Sequence, residues 1–539
     1  MIFGFLPQNL KTKAAAVAFS MAWRGSEVEL RAGDAGRARG RLAAFRGELY
    51  RCLTARGDAL FGLVDAVLCS DGPVRVLAGL SLVPGHRRGH GAVYDALSAG
   101  RVDVPRLRWA VGAVPLPAWP DGRIRLAVDV CAWLRPEART SAERMFCHVH
   151  GRGKNAGQMI PGWPYSFVAA LGPGASSWTA PLDAVRLGPD DDDTEVTAAQ
   201  LREVAGRLAS SGAWHEGDGD IIVVMDAGYD VIRLAWLLAD LPLVLCARLR
   251  SNRVFWRVPA PKPPGTGGPP RQHGARLSCA DEASWDRPWL TAAAGTPRHG
   301  TVQVTAWDRV HPKLCKDAAW HDHPGKVPVI EGTLIQLRPG RLPGYREPKP
   351  MWLWAGVTGA AGAEVAVLWQ AYLRRFDLEH TFRFFKQVLG WTAPKIRDPA
   401  AADRWTWIII AACTQLRLAA SLAADLRLPW QRPQPPGAMT PARVRRGFRA
   451  VRETLGTPAA LPRPSRPGPG RPKGSRNRHK APRHDVGKRN LKRANRAKRK
   501  ARNKTAKLNG KPWGPRSSRQ AGSSTLNPSR PSRPAHLTR

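Results

Sequence analysis

Residues 221–230, IIVVMDAGYD, decide the reading of the fold. Five apolar residues run without interruption into a carboxylate, Asp226, which is the pattern of a buried strand that ends at a polar position. Upstream, RIRLAVDVCAWL at 123–134 has the same character, with a single acid, Asp129, inside it. FCHV (146–149), SFVAAL (166–171) and SWTAPLDAVRL (177–187) supply further strands. The acidic loop DDDDT (190–194) then leads into a helix with Leu201, Val204, Ala205 and Leu208 on one face. After IIVVM come a helix near VIRLAWLLADL (231–241) and the strand LPLVLCARL (241–249). Early strands followed by helix–strand–helix–strand predict a mixed α/β sheet.

The flanks differ from this centre. Residues 1–39 are expected to be a disordered extension: their short apolar run has no small-x-small cleavage site and is too short to span a membrane. Residues 40–118 read as a helical domain, since GRLAAFRGELYRCL and DALFGLVDAVLC repeat apolar residues at three- and four-residue spacing. The basic turn PGHRRGH, with Arg87 and Arg88, and the helix AVYDALSAG after it suit either a DNA-binding helical unit or an ordinary bundle with a solvated turn. Residues 250–350 are rich in Pro, Gly and Trp with short strand-like pieces. They are expected to form a β-rich insertion outside the central sheet, between core segments 119–249 and 351–460. Residues 461–539 are low-complexity and basic, and cannot bury enough apolar surface to fold alone.

Charge narrows the partners. The 539 residues carry 84 Lys+Arg against 42 Asp+Glu, a net +42. The last 79 residues hold 25 of these cations and one acid, which leaves +18 on the first 460. The folded part is thus basic in its own right, as suits a polyanion. With 43% hydrophobic residues, a wholly disordered chain and a small disulfide scaffold are both excluded. Eight scattered cysteines, none in C-x-x-C spacing, read as reduced core residues of a cytoplasmic protein.

Two strand aspartates are costly to bury unless they are paired or bound to metal. A helical stripe at Tyr372, Arg375, Glu379 and Lys386 falls within an arc of about 60°, beside an apolar stripe of Leu378, Phe382, Phe385 and Leu389. The bland alternative for the first stripe is a solvated salt-bridge face. Two aspartates and a glutamate make an oxygen-rich set that suits Mg²⁺. Asp190–Asp193 reads as a solvated loop at a helix start, and His321-Asp322-His323 lacks a third spaced ligand. GRGKNAG, with Arg152 and Lys154, is no nucleotide-binding P-loop; its cations read as phosphate contacts or as an ordinary surface loop.

Tyr372, Arg375, Glu379 and Lys386 match the Y-(2)-R-(3)-E-(6)-K signature of a large group of bacterial insertion-sequence DDE transposases. Spacings of 97 residues from Asp129 to Asp226 and 153 from Asp226 to Glu379 fit that order of acids, with room for an insertion before the glutamate. GRGKNAGQMIPGWPYSF, DAGYD, LEHTFRFFKQVLGW and HRRGHGAVYDALSAG each resemble segments of these enzymes. The resemblance covers roughly 40–450. It implies an RNase H-like core, catalysis by Asp129, Asp226 and Glu379 on two Mg²⁺ (Mn²⁺ able to substitute), and cut-and-paste DNA transposition. It implies Arg375 and Lys386 at backbone phosphates and Tyr372 against a strand end. The partners implied are double-stranded DNA, as terminal inverted repeats and as target, and a second subunit in a homodimer on that DNA, without a membrane; the location is the cytoplasm, at the nucleoid. A structure-selective nuclease without strand transfer and a catalytically silent DNA-binding protein are the alternatives.

Overall fold

The computed structural model describes residues 34–487 except 85, 150–156, 175–176, 262, 266, 270, 297–299, 317, 322, 342–348, 435–437, 463–469, 471 and 476–478. Its helices are α1 (Asp34–Cys52), α2 (Gly57–Cys69), α3 (Leu77–Leu80), α4 (His90–Ala99), α5 (Val104–Gly112), α6 (Asp193–Ser210), α7 (Val231–Leu237), α8 (Gly362–Arg374), α9 (Phe376–Gln387), α10 (Pro399–Leu418) and α11 (Pro441–Leu455). The strands are β1 (Leu53–Ala55), β2 (Arg101–Val102), β3 (Arg125–Leu134), β4 (Met145–Val149), β5 (Gln158–Leu171), β6 (Thr179–Arg186), β7 (Ile221–Met225), β8 (Leu243–Leu249), β9 (Val254–Arg257), β10 (Arg276–Ser278), β11 (Leu290–Thr296), β12 (Gly300–His311), β13 (Gly332–Pro339) and β14 (Met351–Ala355). The main body leaves out Lys316–His323, a separate small unit with a 3-10 turn at Ala318–Trp320.

The sheet follows from the apolar runs. β7 is buried along its whole length and lies parallel to both β3 and β8, as a strand covered on both faces does. β3 pairs antiparallel with β5, and β5 with β6. The order β6-β5-β3-β7-β8 is an RNase H-like mixed sheet with flanking helices, as expected. Asp192 caps α6 by accepting from Thr194 and Glu195 N–H groups, so the acidic loop starts a helix as its composition suggested.

Residues 250–350 are β-rich, but they do not stand outside the central sheet. β14 pairs antiparallel with β8, from Trp352 opposite Leu249 to Ala355 opposite Cys246. β13, β12, β9 and β10 continue the same sheet to 12 strands. The physical reason is the edge of β8, a row of unpaired backbone groups that another strand covers. Trp285, Trp307 and Trp352 pack this extension together, with ring centroids 5.3–5.7 Å apart.

The N-terminal helices are tied to the late helices, and among the described residues α1 starts at Asp34, within the stretch 1–39 expected to be an extension. Arg46 reaches from α1 to Asp65 on α2 at 2.7 Å and to Gln415 on α10 at 2.7 Å. Arg445 of α11 donates to the Val67 carbonyl, and Arg404 of α10 to that of Leu97. A short stretch of the basic tail is docked: the His484 and Gly487 N–H groups donate to the Arg139 and Arg144 carbonyls, and Gly487 bridges to Met145. Residues 488–539 lie outside the described residues, as do 1–33. All eight cysteines are free thiols, and only Cys315 is exposed. Among the described residues no helix is long and apolar enough to cross a membrane.

Candidate active site

The strands bring the two aspartates together. Val128 of β3 pairs in parallel with Met225 of β7. Next after that pair come Asp129, still within β3, and Asp226, the first residue past the end of β7, near enough for its charge to act on the Asp129 carboxyl. Asp129 Oδ1 accepts from the Val130 N–H at 2.8 Å.

The helices bring the rest. The apolar stripe of Leu378, Phe382, Phe385 and Leu389 is buried. Phe382 and Phe385 lie 5.2 and 6.2 Å from Phe167 on β5, and Trp391 packs on the same ring at 5.2 Å. With that stripe held against the sheet, the neighbouring stripe faces the end of β3. The four signature residues do not share one regular helix, however. Arg375 sits at a junction between α8 and α9, where its N–H bonds to Tyr372 O and its own carbonyl accepts from Leu378 N–H. These tight three-residue bonds are the local 3-10 geometry often found at helix ends.

Arg375 is the hub of the site. Its Nη1 donates to Asp129 Oδ2 at 2.7 Å and its Nη2 to Glu379 Oε1 at 3.1 Å. Burial works against its charge, but Asp129, Tyr372, Asp226 and Glu379 around it hold the guanidinium more firmly protonated than usual. Burial also pushes the Asp129 carboxyl up to about 6; Arg375 and the Val130 N–H counter this, while the charges of Asp226 and Glu379 add to it. Tyr372 is buried beside Arg375, and burial pushes its phenol up to about 12. Lys386 stands 5.9 Å from the Trp391 ring and near Cys131 on β3, where burial pushes the thiol up to about 11 and the ammonium partly offsets that.

The expected DNA contacts are placed unequally. Arg87 is exposed. Arg88 is instead taken up inside the protein, donating to the Ala460 carbonyl at 2.6 Å and lying 3.9 Å from Asp58. Arg152 and Lys154 lie outside the described residues, as does Asp322. Two groups went unassigned in the sequence. Tyr229, inside DAGYD, is partly buried with its hydroxyl enclosed near Asp129, and burial, with the charge of Asp129 next, raises its phenol well above the usual range. Arg248 is exposed on β8 near Tyr372. A lone arginine in the apolar run LVLCARL was the available signal for it.

The donors fit a divalent cation. Asp226 Oδ1 is buried with no hydrogen-bond partner, and Asp129 is held against its ionised form by burial and by like charges. A hard cation with oxygen ligands relieves both. Among the described residues no three metal-type side chains are already spaced to share an ion, and Arg375 stands between Asp129 and Glu379.

No curated protein matches the chain. A family profile described as "DDE superfamily endonuclease" matches residues 48–313, a span that contains both aspartates and ends before the glutamate helix. With the RNase H-like sheet, this match supports a DDE-type, transposase-like family and a nuclease- or transposase-type activity; enzymes of that superfamily typically use divalent metals.

Proposed function

We propose that this protein is a transposase that cuts DNA at the ends of its own insertion element and joins the freed 3′ ends to target DNA. The observation that carries the reading is the pair Asp129 in β3 and Asp226 at the end of the parallel strand β7, with Arg375 tying Asp129 to Glu379. Asp129, Asp226 and Glu379 would hold the ions, Mg²⁺ or Mn²⁺, which supply an activated attacking oxygen and a stabilised leaving oxygen when bound. With Asp129 and Glu379 engaged by an ion, Arg375 would be free to contact a backbone phosphate. Lys386 and the exposed Arg248 and Arg87 add positive potential for the strand backbone. Double-stranded DNA is the substrate, as terminal inverted repeats and as target, and two copies of the chain act on it together.

The test is strand transfer with pre-cut ends. Purified full chain, given Mg²⁺ and a duplex ending in the inverted repeat that flanks the gene, is expected to join its 3′-hydroxyl to a plasmid. Cleavage of such DNA without joining identifies a nuclease, and binding with neither reaction identifies a silent DNA-binding protein.

Metal binding is expected to depend on pH with a defined sign. Above about 6 Asp129 is ionised and available as a ligand; below that it is protonated, and metal must displace the proton. Affinity for Mn²⁺ should therefore fall as pH drops through about 6, by up to about tenfold per unit below it. Calorimetric titrations across that range would read the change. Affinity that is flat with pH would remove Asp129 from the ligand set.

A further inference from the structure

Between α10 and α11 the chain crosses a loop that presents an indole to solvent. Trp430 is 78% exposed, and Leu426 and Leu428 beside it are exposed too. A large aromatic so exposed usually marks a contact surface when its support is rigid, since rigidity lowers the cost of ordering on binding. Here the support is rigid. Leu428 to Gln431 is a β-turn closed by the Gln431 N–H to the Leu428 carbonyl at 2.9 Å, with Pro429 at the second position, which it suits. The Gln431 side-chain oxygen accepts from Leu428 N–H at 3.1 Å and from Arg446 Nη2 at 2.5 Å. Arg446 also donates to the Leu426 carbonyl, and Arg443 to that of Arg432. Gly447 of α11 lets the loop lie close, since a Cβ there would fall 2.5 Å from the Ala424 carbonyl oxygen.

The surroundings select the partner. Arg427 and Arg432 flank the indole and are both exposed. Asp425, the acid in this loop, is occupied by Arg443 and by the Gln434 N–H. A second copy of the chain would bring like charge to like, whereas a nucleic-acid backbone complements it. Aromatic rings stack on bases whatever their identity, and apolar wedges part base steps in bent duplexes.

We propose that the Leu428–Gln431 turn is a duplex-DNA contact, with Trp430 stacking on a base and Arg427 and Arg432 holding the flanking phosphates. The inference rests on the DNA-acting reading above, but on none of its chemistry.

The test uses full-length protein and a duplex of about 30 base pairs carrying the fluorescent base 2-aminopurine, read by anisotropy and base fluorescence over a salt series. W430A is expected to weaken binding about tenfold and to abolish the base-fluorescence change while keeping the salt slope. W430F should recover most of both. R427A with R432A should instead flatten the salt slope by about 2. Since Trp430 is exposed, unfolding temperature should not change. W430A that binds and reports like the wild type overturns this inference alone. So does W430A that halves the sedimenting mass without altering DNA affinity, because the turn then joins two copies. A wild-type chain indifferent to the duplex overturns the DNA reading and this inference with it.

Discussion

Replacing Asp226 with asparagine is expected to abolish DNA cleavage and strand transfer, by about 10³-fold or more, while leaving DNA binding and folding intact. The size follows from losing a metal ligand whose ion is worth several kcal/mol of transition-state stabilisation, at about 1.4 kcal/mol per factor of ten. The specificity follows from the structure. Asparagine keeps the shape and removes a charge that repels Asp129 and attracts Arg375, so stability should change little in the absence of metal. Two measurements separate the roles: a gel assay of end cleavage and a thermal melt. An Asp226→Asn protein that cuts at a normal rate would remove Asp226 from the reaction. One that melts early would make it a structural residue.

Arg46→Ala is expected to cost about 3 kcal/mol of stability, the lower end of the range for breaking a buried ion pair. Arg46 and Asp65 are both almost wholly buried, and the guanidinium also meets Gln415 at 2.7 Å and the Gly456 carbonyl at 3.3 Å, over the Phe61 ring. Asp65 keeps Arg452 at 3.3 Å, which moderates the loss. One side chain thus ties residues near the start of the described chain to helices near its end. Urea unfolding should show the two regions losing structure in a single transition, shifted to lower denaturant. Early melting of the N-terminal helices alone would show them to be an independent domain, and a change below about 1 kcal/mol would show that the bridge is dispensable.

How much was legible in advance depended on how local the cause was. IIVVM and RLAVDVCAWL are apolar enough to be buried strands in almost any context, and the acids within and after them stand out for the same reason. The spacing of Leu378, Phe382 and Phe385 announces a buried helix face, and hence the place of Glu379 along the rim beside it. The four-residue signature named the likeness. The break at Arg375 was not visible, because no Gly or Pro interrupts residues 363–387 and the tight bonds appear only once α8 and α9 pack on the sheet. Nor did the composition of 250–350 reveal its place in the sheet. Its strands could have closed on themselves, and the open edge of β8, some hundred residues away from β14, decides otherwise.

The sequence by itself therefore determined the strands, the helices, the order of the acids and the basic balance of the chain. These depend on hydrophobic period, residue type and net charge, which are properties of short segments or of simple sums. Only the tertiary structure decided which groups meet. It set Asp129 beside Asp226 through strand register, made Arg375 the partner of two carboxylates, turned Arg88 inward and lifted Trp430 into solvent on a clamped turn. Each of those outcomes rests on contacts between distant parts of the chain, and such contacts exist only once the surfaces that bring them together have been buried.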